Sequence, residues 1–168
     1  MQLKKHFIIL IIITLPFISL AQSDIGLTTI VLVRHAEKVK NDSPDPELSS
    51  AGIERALRLK QLFINADISA IYSTNYKRTK NTVLLLAEAL DLKVEMYDPR
   101  DNKITKQLLN NHEGETILVS GHSNTTPQLV NTLINQEKYK SLDENEYGKI
   151  FIVTISNQEE TKVVELSY

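Results

Sequence analysis

The sequence has no cysteine. That excludes disulfides, zinc–thiolate centres, iron–sulfur clusters and cysteine nucleophiles. Tryptophan is absent too, aromatic residues make up 6%, and glycine occurs five times in 168 residues. This leaves no glycine-rich phosphate loop and no aromatic platform for carbohydrate. The net charge is small, −2, and no basic run accompanies it. Nucleic acid and anionic lipid are therefore not expected as partners. What remains is ordinary globular composition, 24% charged and 42% hydrophobic, which argues against a disordered or many-pass membrane protein.

The first 21 residues read as a leader. Lys4 and Lys5 form a short basic segment, and residues 7–20 are an apolar run of 14. That run is shorter than the roughly 18 to 20 residues that span a bilayer. Ser19 and Ala21 put small residues where a signal peptidase reads. We expect a cleaved signal peptide over 1–21, a periplasmic or secreted location, and no stable membrane insertion afterwards. No cysteine follows the run, so lipid attachment is not expected. Removing 21 residues from 168 leaves 147, expected to form a single domain over 22–168. Losing two lysines and no acid takes the net charge to −4.

Strand-like and helix-like segments then alternate. Residues 28–33 (TTIVLV) form a β-branched, continuous apolar run, as expected of a strand buried on both faces. Residues 43–50, with two prolines and two acids, read as loop. The spacing of Ile53, Ala56, Leu57, Leu59, Leu62 and Phe63 predicts a helix over 52–65. Strands follow at 70–73, 93–97 and 116–120, and helices at 76–90, 104–111 and 125–135. Strands at 149–155 and 161–166 close the chain. Pro127 falls in the first turn of its helix, where proline is tolerated. The pattern predicts an α/β fold, a three-layer α/β/α sandwich with a mostly parallel sheet. Ligands in such sheets sit beyond the carboxyl ends of the strands.

Those ends carry the chemistry. The first strand runs into Arg34, His35, Ala36, Glu37 and Lys38, the second into Thr74, Asn75, Tyr76, Lys77 and Arg78. The third runs into Asp98, Pro99, Arg100 and Asp101, the fourth into Gly121, His122, Ser123 and Asn124. Two of the three histidines beyond the leader therefore converge on one edge. A neutral imidazole is a competent nucleophile near pH 7. Arginine forks match phosphate oxygens, and a carboxylic acid protonates a leaving oxygen. The combination suits phosphoryl transfer with no metal and no cofactor.

The segment 31–36 (VLVRHA) resembles the strand and Arg-His-Gly signature of the histidine phosphatase superfamily, the phosphoglycerate mutase-like proteins. Ala36 stands where glycine is commonest, as in the small phosphohistidine phosphatases. Residues 48–56 (LSSAGIERA) resemble the family's Leu-Thr-x-x-Gly-x-x-Gln-Ala stretch. Residues 71–82 resemble its Ser-x-x-x-Arg-x-x-x-Thr segment, and 119–122 (VSGH) its second-histidine motif. The resemblance spans about Thr28 to Leu133 in the family's order. It implies a phosphoglycerate mutase-like fold and a phosphohistidine intermediate at His35. Arg34, Arg78 and His122 would bind the phosphoryl oxygens, with Asn124 adding to the pocket. The acid is expected at Asp98 ahead of Asp101, with Glu37 as a third candidate near substrate. The other subgroup's aspartate position, directly after the second histidine, is Ser123 here.

Each of these residues also has a plainer reading. Asp98 and Asp101 are turn formers, Asn124 is a helix cap, and Glu37 is a partner for a basic neighbour. His112 is expected to be solvated, and Lys38 and Arg100 to be rim charges. Gly121-His122-Ser123 resembles a nucleophile elbow, but Thr125 replaces the required glycine and no histidine follows. A phosphate-binding module without turnover is the alternative from another class, and retention of His35 argues against it. The connection over 98–115 is only 18 residues, shorter than the cap of the family's mutases, so hydrolysis is favoured over mutase chemistry. The expected partner is a small phosphorylated substrate, a phosphomonoester rather than a phosphohistidine protein given the leader. Nothing in the pattern fixes an oligomeric state.

Overall fold

The computed structural model describes residues 26–156 and 160–168. The expected signal peptide over 1–21 lies outside the described residues. Ten elements follow one another: β1 (Thr28–Arg34), α1 (Ser50–Phe63), β2 (Ile68–Ser73), α2 (Lys77–Ala89), β3 (Val94–Met96), α3 (Ile104–Asn111), β4 (Thr116–Gly121), α4 (Thr125–Leu133), β5 (Lys149–Ile155) and β6 (Thr161–Ser167).

The strands form one sheet in the order β3-β2-β4-β1-β5-β6. β1 to β4 are parallel, with β4 between β2 and β1. β5 runs antiparallel to both β1 and β6. Side chains alternate across the sheet as a strand period of two requires. Ile30, Leu32, Tyr72, Ile117 and Val119 pack with Leu108 of α3 and Leu129, Val130 and Leu133 of α4. Val31, Val33, Ile71 and Leu118 pack on the other face with Leu59 and Phe63 of α1 and Val83 and Leu86 of α2. Helices thus cover both faces, and the expected three-layer sandwich is borne out.

Two differences from the sequence pattern have physical causes. In α1 the buried stripe is Gly52, Ala56, Leu59 and Phe63, whereas Ile53, Leu57 and Leu62 are exposed. The stripe is set by how closely α1 approaches the loop after β1. A Cβ on Gly52 would sit 2.1 Å from the Glu37 carbonyl oxygen, so only glycine fits there. The helices also start or stop a residue or two from the predicted limits. Ser49, for instance, caps α1 through a bond from the Gly52 N–H to its hydroxyl at 3.2 Å.

The order of the strands fixes where a ligand can bind. β1 and β4 are neighbours, yet α1 leaves β1 for one face while α4 leaves β4 for the other. The two connections part at the carboxyl ends of these strands and open a crevice there.

Candidate active site

The crevice is a cleft of about 710 Å³. Arg34 and His35 enter it from the end of β1, His122, Ser123 and Asn124 from the end of β4, and Thr74, Tyr76 and Arg78 from the β2–α2 junction. Asp98, Pro99 and Arg100 line it after β3, and Glu144 closes it from the segment between α4 and β5. Four cations and two carboxylates therefore border one cavity, a positive site on a net negative chain.

His35 is 4% exposed. Its backbone N–H continues the β1–β4 ladder to the Gly121 carbonyl at 2.9 Å. Its ring Nδ1 lies 2.8 Å from the Ala36 carbonyl oxygen. A carbonyl only accepts, so Nδ1 carries the hydrogen and Nε2 the lone pair. Burial pushes the imidazole pKa down to about 3, and the neighbouring Arg34 and Arg78 charges add to the shift. The ring is neutral and oriented, with its lone pair on Nε2.

The next residue is also held. The Ala36 N–H donates to Thr82 Oγ1 at 2.8 Å, and the Thr82 hydroxyl donates to the Arg78 carbonyl at 2.7 Å. The backbone around His35 is thereby fastened to the helix that presents Arg78.

Arg34 divides its guanidinium between two tasks. Nη1 donates to the carbonyls of Asp143 and Glu146 at 2.6 and 3.0 Å. The plane also lies 4.2 Å from the Tyr147 ring centroid. Nε is buried and makes no hydrogen bond. Arg78 has Nε and Nη1 in the same condition, with Nη1 3.6 Å from Asp45 Oδ1 as an ion pair too long for a hydrogen bond. Buried unpaired donors are costly, and cationic ones more so. The two guanidinium groups line one cleft and suit it to anionic oxygens.

His122 faces His35 edge-on, with ring centroids 5.5 Å apart. Its Nε2 lies 2.9 Å from Thr74 Oγ1, which in turn donates to Thr79 Oγ1 at 3.0 Å. Nδ1 is the ring nitrogen left for a ligand. Burial, then the Arg78 and Arg34 charges, lowers its pKa to about 4. The Tyr76 ring packs edge-on to His122 at 5.0 Å and under Arg78 at 4.5 Å.

The remaining expected residues divide. Asn124 lines the cleft and makes no side-chain capping bond to α4. Asp98 lines it too, but its carboxylate is held by Arg100 through Nε at 3.0 Å and Nη2 at 2.9 Å. Hydrogen bonds from Arg100 hold its carboxyl below the usual range, the wrong direction for a proton donor. Asp101 accepts from the Lys103 N–H instead and is not among the cleft residues. Glu37 corrects the expectation of a substrate contact. Its carboxylate receives Arg55 Nε and Nη2 at 2.9 and 2.6 Å, is lowered by that pairing, and stands outside the cleft lining. The plain reading of Glu37 as a basic neighbour's partner holds. His112 departs from a solvated reading, bridging Tyr72 Oη at 2.8 Å and Glu115 at 2.7 Å.

Sequence reasoning assigned no individual role to Thr74, Thr82, Glu144 or Tyr147. The first two carried a signal, a hydroxyl directly after a strand and another one helical turn after Arg78. Glu144 and Tyr147 reach the site only through tertiary folding. Among the described residues, no group of three or more His, Asp or Glu gathers to hold a metal ion.

This mostly parallel α/β sandwich has the phosphoglycerate mutase-like fold. Residues 30–100 match the model of the histidine phosphatase superfamily (branch 1). A segment of 78 residues is 38% identical to phosphoserine phosphatase 1 of Hydrogenobacter thermophilus, covering 43% of this chain and 37% of that protein. The match thus spans little more than a third of that relative. Among solved structures, phosphoserine phosphatase from Entamoeba histolytica in complex with 3-phosphoglyceric acid superposes with a TM-score of 0.65 at 18% identity. The superposition covers 84% of this chain and 97% of that one. The protein histidine phosphatase SixA complexed with tungstate gives 0.67 at 16% identity, over 83% and 96%. At such identities the likeness is one of fold.

Proposed function

We propose that the chain is a phosphatase that hydrolyses phosphomonoesters through a phosphohistidine on His35. The carrying observation is an oriented His35 imidazole in a cleft that Arg34 and Arg78 also line. His35 Nε2 attacks phosphorus, and the ester oxygen leaves. The Arg34 and Arg78 guanidinium groups donate to the phosphoryl oxygens, beside His122 and Asn124. These donors are fixed before substrate arrives, so charge that develops on phosphorus meets oriented dipoles. Water then cleaves the phosphorus–nitrogen bond and regenerates the ring. In this reading arginine and histidine supply the positive charge, and no metal takes part.

The names of the relatives support small phosphorylated molecules, phosphoserine among them, as the substrate class. The four cations of the cleft agree with a substrate carrying at least the phosphoryl dianion. The apolar leader adds export to the reading, and the mature chain recovered from the periplasm should begin at Gln22.

The test is turnover of p-nitrophenyl phosphate by the purified chain with EDTA present, beside His35→Ala. Activity in the wild type, loss of about a thousandfold or more in the variant, and acid-labile phosphate on His35 are expected. Equal turnover by the variant, or none by folded wild type between pH 4 and 8, would overturn the reading. Phosphate binding without turnover would instead mark a binding module.

A further inference from the structure

The site still needs a proton for the leaving oxygen, and three carboxyls suggested by the sequence are otherwise engaged. Arg100 holds Asp98, Arg55 holds Glu37, and Asp101 caps a backbone N–H outside the cleft. The other carboxyl lining the cleft is Glu144. It stands at the corner of a turn closed by the Glu146 N–H on the Asp143 carbonyl at 3.0 Å. Arg34 Nη1 grips the carbonyls at both ends of that same turn. Tyr147, just beyond, lies against Arg34 and 5.9 Å from the His35 ring. The arginine at the nucleophile thus seats the turn that carries Glu144, and the Glu144 charge acts on Arg34 in return. No hydrogen bond or ion pair occupies the Glu144 side chain among the described residues.

We propose that Glu144 is the general acid and base of this reaction. The assignment rests on the phosphohistidine reading above. As His35 Nε2 bonds to phosphorus, the phosphorus–oxygen bond breaks and the Glu144 carboxyl gives its proton to the departing oxygen, which leaves as the alcohol. Glu144, now a carboxylate, takes a proton from the water that attacks phosphohistidine. The phosphorus–nitrogen bond breaks, phosphate departs, and the carboxyl is protonated again. The sum is ester plus water to alcohol plus phosphate.

The experiment compares kcat/KM for p-nitrophenyl phosphate with that for an alkyl ester such as phosphoserine, in wild type, Glu144→Gln, Glu144→Asp and Asp98→Asn. In a two-step reaction kcat/KM reports events up to departure of the leaving group. p-Nitrophenolate leaves without a proton, whereas an alkoxide needs one. The aryl-to-alkyl ratio should rise about 100-fold in Glu144→Gln, the usual worth of general acid catalysis, and should largely recover in Glu144→Asp. An unchanged ratio in Glu144→Gln, or the shift appearing in Asp98→Asn instead, overturns the assignment while leaving the nucleophile at His35 intact. Absence of turnover by the wild type, or turnover without phosphate on His35, overturns both.

Discussion

At the scale of single residues, the two histidines set how the fold responds to acid. Burial first, and adjacent arginines second, lower His35 to about 3 and His122 to about 4. In the unfolded chain both take up a proton near pH 6.5. Between that value and pH 4 the unfolded state binds more protons than the folded one, so stability falls as pH falls. Above pH 7 the two states bind alike at these sites and the contribution is flat. The melting temperature should therefore drop from pH 6.5 to 5, before most carboxylates titrate, and drop less in His35→Gln. Thermal unfolding across that window checks it, and an equal slope in the variant would contradict the burial argument. Arg34, His35 and His122 were legible in the sequence because they sit at the ends of buried strands, and Arg78 because it opens the helix after β2. The proton donor was not, because a carboxyl's freedom depends on which cation happens to neutralise it. Arg100 and Arg55 make that choice in three dimensions.

At the scale of elements, the close approach of α1 to the segment after β1 organises the entry to the site. Gly52 lies under the Glu37 backbone, and Arg55, three residues on, ties the Glu37 side chain and the Tyr168 carbonyl together. A methyl group on Gly52 meets backbone, which cannot rotate away. Gly52→Ala should destabilise the protein by about 1–3 kcal/mol, the usual range for overpacking. Denaturant unfolding reads this directly, and activity should fall with it because His35 lies two residues before Glu37. Strand positions were readable from continuous apolar runs, to within two residues. The buried side of α1 was not, since Ile53 and Leu57 mimic a core stripe while a glycine and an alanine make the real contact.

At the scale of the whole molecule, the cleft joins segments that are far apart in the chain. β1, the β2–α2 junction, β4 and the turn at 143–146 all contribute. An anion bound to Arg34 and Arg78 ties these segments together only in the folded state. Inorganic phosphate at about 100 times its dissociation constant should then stabilise the fold by about 2.7 kcal/mol. Differential scanning fluorimetry with phosphate and with chloride at matched ionic strength tests this. Arg78→Ala should lose most of the shift while remaining folded. A phosphate shift equal in both proteins would place the anion elsewhere.

One linkage in this architecture acts as a ruler. Arg78 lines the cleft, and Thr82, four residues later, grips the amide next to His35. Both positions lie on α2, where four residues make about one turn. The separation between His35 and the Arg78 cation is therefore a property of helical pitch and not of loop length. A lineage or a designer may lengthen the segments after β3 or before β5 to admit other molecules. A single residue gained or lost between 78 and 82 would swing one grip about 100° around the helix axis from the other.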